Sequence, residues 1–254
     1  MIIKNIFKIH YLFYLVAFIC IITGFFKPFL WISLLIIVHE LGHFLTAVYY
    51  KWQIDKIIIF PFGGVTIFKE HLNKPIKEEF VILIMGPIIQ IIFYLIITHL
   101  FGYNQQFAQY HYALLVFNLM PIFPLDGSKL VKLGLEKILP FKLSHLLTLF
   151  ISIIFLIIFI IFIYLKKMNL VLILFLILLL IKIIEEIKQH QAIFNKFLIE
   201  RYLYNFNFPK IYFIKNGKIT KMKKGYRHIF FSNNKYVTEK ELLHKRFDFN
   251  MKVW

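Results

Sequence analysis

The sequence predicts an α-helical polytopic membrane protein of about six transmembrane helices, followed by a small cytoplasmic α+β unit at the C-terminal end. Three observations predict it. The 254 residues are 60% hydrophobic, with a mean hydropathy of +0.73, whereas a soluble domain is nearer half apolar. Six apolar segments approach the roughly 20 residues a helix needs to cross a bilayer. Hydropathy then falls after residue 185, while charge and turn residues rise.

The six segments run 9–25, 29–50, 80–101, 108–125, 144–165 and 168–184. The first is short and pairs with the second as a hairpin around Gly24–Pro28. Its flank MIIKNIFKIH resembles the basic start of a signal peptide, but no small-residue cleavage site follows, so it reads as a retained helix. The fourth is interrupted by Asn118, Pro121 and Pro124. Such interruptions are tolerated in a span where neighbouring groups re-satisfy the backbone. Residues 1–185 are therefore expected to form the membrane domain and 186–254 a second, regulatory one. Within the latter, Lys215-Asn216-Gly217-Lys218 reads as a hairpin turn between short strands. Residues 237–246, VTEKELLHKR, read as a helix with Thr238 as N-cap and Glu241 three residues on.

The formal net charge is +17. Lysines flanking membrane spans account for this excess more simply than nucleic-acid binding, which is set aside. They orient the chain too: Lys4 and Lys8, the loop lysines 51–77, the loop lysines 129–142 and the basic tail fall on one side. Both termini are then expected in the cytoplasm, with the pair Lys166–Lys167 as the one poor fit. Cys20 is the only cysteine, so no intrachain disulfide forms. The abundance of Ile and Phe reflects base composition and carries no functional information.

One apolar run contains an ionisable cluster, IIVHELGHFL at 36–45. His39 and His43 are four apart and share one face of a helix. That spacing lets two imidazoles bind one Zn²⁺, with Glu40 beside them to hold and deprotonate an attacking water. Glu40 is the only acidic residue in 1–54, and ionisable groups inside membrane spans are rare and usually functional. The competing reading is two structural histidines and a glutamate paired inside a bundle. A catalytic zinc takes three protein ligands and one open position. Spans three and four contain no Asp or Glu, and Asp126 is the first acidic residue after them, in FNLMPIFPLDGSKL (117–130). Spans two and four both run towards the cytoplasm, so HELGH and Asp126 are expected at similar depth. An ordinary turn or helix cap is the alternative for Asp126-Gly127.

HELGH in one span and N-x-x-P-x-x-P-L-D-G in a later one resemble the signature of the site-2 protease family, intramembrane zinc metalloproteases. Asn118, Pro121, Pro124, Leu125, Asp126 and Gly127 match the second pattern in order. The resemblance implies His39, His43 and Asp126 as ligands of one zinc and Glu40 as general base. It further implies that Asn118, with Pro121 beside it, positions the substrate; a buried Asn joining helices is the alternative. PFGGV (61–65), between IDKIIIF and VTIF, resembles the family's membrane-associated loop, in which Gly63 and Gly64 would present an extended edge to the substrate. A plain turn is the alternative there. GPIIQ (86–90) sits where many members have Asn, and Gln90 is given no catalytic role.

The short N-terminus, six spans and small C-terminal unit resemble the sporulation branch of the family. That implies as substrate a membrane-tethered precursor of a sporulation sigma factor, in the mother-cell membrane around the forespore. It implies inhibitory membrane proteins as further partners; a homo-oligomer is a separate expectation, not one the resemblance carries. Members of the branch carry a CBS-like nucleotide-sensing domain, and this tail is too short for two CBS repeats, which puts ATP binding in doubt. Two other function classes remain: a metal transporter using the same ligands, and a proteolytically silent scaffold. Transport would favour further polar residues along a path, which spans one to four scarcely offer. The intact His39, Glu40, His43 and Asp126 set argues against a scaffold.

Overall fold

A computed structural model describes residues 7–60, 63–68, 72–165, 170–215, 217–232 and 235–248. The chain divides into two units, 1–71 with 77–119 and 72–76 with 120–254.

The first unit opens with a short strand β1 (Phe7–Ile9) and helix α1 (Tyr11–Ile22). The His10 side chain caps α1 by accepting from the Leu12 amide at 3.3 Å. Its 12 residues reach about 18 Å, short of the roughly 30 Å hydrocarbon core, so the expected first span is a shorter helix. A turn through Gly24, at φ 76°, leads into α2 (Phe26–Tyr49), which carries HELGH as expected. Strands β2 (Ile54–Phe60) and β3 (Gly63–Phe68) pair antiparallel, with Ile57 opposite Thr66 and Ile59 opposite Gly64. The two strands expected around PFGGV are thus present, while Pro61 and Phe62 lie outside the described residues. β1 adds to β2 in parallel, giving the order β1-β2-β3 and leaving β3 on the edge.

Helices α3 (Ile76–Phe101) and α4 (Gln105–Leu119) complete this unit. Leu35 of α2, Tyr94 of α3, and Phe107 and Ala108 of α4 form one shared core. Ala47, Trp52 and Ile82 form a second one beneath the hairpin. Gly42 brings the α2 backbone against α3: a Cβ there would lie 2.9 Å from the Gly86 Cα. Small residues permit such close helix approach inside a membrane.

The second unit contains α5 (Asp126–Glu136), α6 (Phe141–Leu165), α7 (Leu170–Leu203), strands β4 (Lys210–Lys215), β5 (Tyr226–Ser232) and β6 (Lys235–Thr238), and α8 (Glu239–Asp248). Its core joins Phe141, Phe194, Phe197, Ile214, Met222, Phe230 and Leu243. Thr238 accepts from the Glu241 amide at 3.4 Å, so the expected cap of the last helix is present.

Two expectations are corrected. The fourth segment is no continuous helix over 108–125. α4 ends at Leu119, a loop with prolines at 121 and 124 follows, and Asp126 opens a new helix. Proline lacks the amide hydrogen a helix interior needs and pushes the preceding residue out of the α region. The segment Lys215–Lys218 is not a hairpin turn, because β4 and β5 run parallel, with Lys210 opposite Tyr226. The chain passes through a short 3-10 turn at Ile219–Lys221 and buries Met222 before returning to the start of the sheet. The sheet order is β4-β5-β6, and only β5 and β6 are antiparallel. Among the described residues, three helices are long and apolar enough to cross a membrane, α2, α3 and α6. α7 runs on without interruption through the expected boundary at 185/186, and Lys166–Lys167 lie outside the described residues.

Candidate metal centre

HELGH lies in the second half of α2, where His39 and His43 are buried on one face, 2% and 6% exposed. Each imidazole is held through its Nδ1. The His39 Nδ1 lies 3.0 Å from the Gln90 Oε1 on α3. The His43 Nδ1 lies 2.8 Å from the Ile82 carbonyl, also on α3. Both partners are oxygens that only accept, so each Nδ1 carries the proton and donates it. Each Nε2 is therefore unprotonated and offers its lone pair as a ligand or acceptor. These two Nε2 atoms lie 3.1 Å apart. Two lone pairs that close, in a buried site, repel each other unless a cation lies between them. Tetrahedral zinc with bonds of 2.0–2.1 Å sets two ligand nitrogens about 3.3 Å apart. The pair thus fits a metal ion by donor chemistry and by spacing.

Gly86 makes room for this arrangement. A Cβ at that position would run into the His43 ring and lie 3.0 Å from the His39 Nε2. Glu40 follows His39 and lies beneath the hairpin. Thr66 of β3 donates from Oγ1 to the Glu40 Oε2 at 3.3 Å. Gly64 packs on the same side chain, its missing Cβ 2.9 Å from the Glu40 Oε1. The edge strand β3 therefore runs alongside the carboxylate.

In the second unit, Asp126 occupies the first turn of α5 and is 7% exposed. A carboxylate is stabilised at a helix N-terminus by the amide dipoles. The preceding Leu125 carbonyl accepts from the Ser128 amide at 3.1 Å and from the Ser128 hydroxyl at 2.7 Å, fixing that turn. Lys129 lies 2.9 Å from the Asp126 Oδ1. The loop before it is tied to α6, since the Phe123 amide donates to the Ser152 hydroxyl at 3.1 Å. His39 and His43 supply two buried imidazole nitrogens in the first unit, and Asp126 is a buried carboxylate at the head of α5 in the second.

Of the other expected site residues, Asn118 lies half-buried in the last turn of α4 and Pro121 half-buried in the following loop. Gly63 opens β3 opposite Phe60, beside Gly64. Sequence reasoning noted GPIIQ but gave Gln90 no role, and it assigned none to Gly86 or Thr66. A single amide in an otherwise apolar stretch of α3 was the available signal for Gln90. The other two depend on helix and hairpin packing that no local pattern encodes.

Two imidazoles, their spacing and the adjacent carboxylate, all on an apolar helix, define a metal centre of the H-E-x-x-H type inside a membrane protein. Comparison with known proteins gives the class its name. Residues 28–112 match the model of peptidase family M50. The chain is 32% identical over 203 residues to stage IV sporulation protein FB of Bacillus subtilis, covering 76% of this chain and 70% of that protein. It is 34% identical over 113 residues to a zinc metalloprotease of Methanocaldococcus jannaschii, covering 40% of this chain and 32% of the relative. The solved site-2 protease from Methanocaldococcus jannaschii superposes with a TM-score of 0.57 at 26% identity, over 73% of this chain and 93% of that one. The chain belongs to peptidase family M50, the site-2 proteases, and is an intramembrane zinc metalloendopeptidase.

Proposed function

We propose that this protease cleaves a membrane-tethered protein precursor near the cytoplasmic face, with a sporulation sigma-factor precursor as its substrate. The opposed Nε2 atoms of His39 and His43 carry the reading of the site. The similarity to a sporulation protein over 76% of the chain supports the choice of substrate.

In this reading His39, His43 and Asp126 hold one zinc. When bound, zinc supplies a Lewis acid that polarises the scissile carbonyl and eases deprotonation of water. Glu40 takes the proton from the attacking water and returns it to the leaving amine. Asn118 and Pro121 position the peptide, and the Asn118 amide helps stabilise the developing oxyanion. Gly63 and Gly64, on the edge strand β3, pair with the substrate backbone as an added strand. The absence of a side chain at Gly64 lets that strand approach the Glu40 carboxylate.

The same reading gives the chain six spans with both termini in the cytoplasm, supported by the lysine distribution along the sequence. It places the enzyme in the mother-cell membrane around the forespore, held silent by inhibitory membrane proteins and assembled as a homo-oligomer. Residues 1–185 carry the protease and 186–254 its regulation. Nothing in the described residues of the tail points to ATP.

Co-expression with a tagged, membrane-tethered sigma-factor precursor tests this reading. Wild type is expected to release the soluble product. Glu40→Gln is expected to cut about 10²–10⁴-fold more slowly, the range for loss of a general base. Glu40→Gln cutting at the wild-type rate would refute the role of Glu40. A wild type that cuts other tethered proteins but spares the sigma precursor would refute the substrate.

A further inference from the structure

We infer that Gln90 is a positioning residue for the metal: its amide relays the polarity of the His111 backbone carbonyl to His39 and locks that imidazole in its metal-binding tautomer. The inference rests on the zinc reading above and deepens it.

Gln90 is fully buried, at 0% exposure, in the middle of α3. A buried amide is stable only when its donors and acceptors are met, and this one is met on two sides. Its Nε2 donates to the His111 carbonyl on α4 at 3.1 Å. The same Nε2 lies 3.3 Å from the His111 Nδ1. A backbone carbonyl can only accept, so the NH₂ end must face α4. That forces the Oε1 end towards His39, 3.0 Å away on α2. A flipped amide would set oxygen against oxygen at α4. With Oε1 facing it, the His39 Nδ1 must carry the proton, and the lone pair is left on Nε2, beside the His43 Nε2. The far end of the bridge is itself fixed. The His111 ring is buried and stacks on Tyr94, centroids 4.2 Å apart and planes 8° from parallel.

The direction of the bridge is therefore set by a helix carbonyl and read out at a metal-binding nitrogen. His43 obtains the same result more simply, from the Ile82 carbonyl. Outer partners of this kind fix ligand tautomer and ring orientation, and removing one lowers metal affinity about 10–100-fold.

The test uses the full-length protein purified in detergent, with zinc affinity measured against a chromophoric chelator and Co²⁺ absorption as a second readout. Gln90→Met keeps length and apolar bulk but removes both polar ends. It is expected to bind zinc about 10–100-fold more weakly, with an altered Co²⁺ spectrum and unchanged helical content. Gln90→Glu, with its outer oxygen protonated and donating to the His111 carbonyl, keeps an acceptor towards His39 and is expected to recover most of the affinity. Gln90→Met with wild-type affinity and spectrum would overturn the inference alone. Equal losses in Gln90→Met and Gln90→Glu would overturn it too, because packing rather than the acceptor would then be responsible. A wild-type protein that binds no zinc would overturn the metal reading, and this inference with it.

Discussion

Two buried polar clusters occupy the two units of this chain, and their lone pairs point in opposite ways. In the second unit Arg201 is buried, and its donors are met from within. Its Nε donates to the Asn73 Oδ1 at 2.6 Å, Nη1 to the Glu239 Oε1 and the Tyr226 carbonyl at 2.9 Å, and Nη2 to the Lys223 carbonyl at 2.9 Å. Phe197 and Phe208 sandwich the guanidinium, with centroids 4.7 and 4.6 Å away. His228 accepts from the Lys223 amide through Nε2, so its Nδ1 donates to Glu239 at 3.0 Å. Cation, anion and carbonyls close on themselves, and the cluster joins α7 to β5 and α8. In the first unit His39 and His43 spend their protons outwards, on Gln90 and Ile82, and turn two lone pairs towards each other. Burial of ionisable groups is common to both clusters. Two imidazole nitrogens turned towards one point distinguish the centre built for a ligand.

The largest expected break in this contrast is Gly86→Ala. Its methyl would displace both imidazoles, so zinc affinity should fall by more than the roughly 100-fold that marks the upper range for loss of one outer partner. Chelator competition on the purified protein measures it, and stability should change far less than zinc binding. Arg201→Met should do the reverse. Leaving Glu239 buried without its partner is expected to destabilise the tail by about 3–5 kcal/mol, read from thermal unfolding, with zinc content unchanged.

A smaller effect follows from pH. Burial pushes the His228 imidazole below its ordinary value of 6.5, against the pull of Glu239. Burial also pushes Glu239 up, but the His228 hydrogen bond and Arg201 outweigh it and hold the carboxyl below its ordinary 4.5. Both groups bind protons more readily in the unfolded chain, so stability is full above pH 6.5 and falls as pH drops below it. Hydrogen exchange of the β5 amides, corrected for intrinsic rate, should show protection declining from pH 7 downwards. Protection that rises on acidification would contradict the role given to His228.

What the sequence made legible follows the range of the interactions involved. The helix carrying HELGH, the strands flanking PFGGV and the Thr238 cap are written in local spacing, and each is present. The expectation for 108–125 recognised the interruptions at Asn118, Pro121 and Pro124 but treated them as tolerated within one span, whereas α4 ends before the prolines and a new helix starts at Asp126. The parallel pairing of β4 and β5 was illegible because Gly217 marks a turn without saying where the chain goes next. Burial of Met222 decides that, through contacts with helices far away in sequence. Gln90 was given no role for the same reason, since its meaning lies in His39 and His111, 51 and 21 residues away.

Zinc content of the purified protein tests the central claim most directly. Wild type and Glu40→Gln are each predicted to carry one zinc per chain, and His43→Ala and Asp126→Ala to lose it. Wild-type zinc affinity in either His43→Ala or Asp126→Ala would contradict the account.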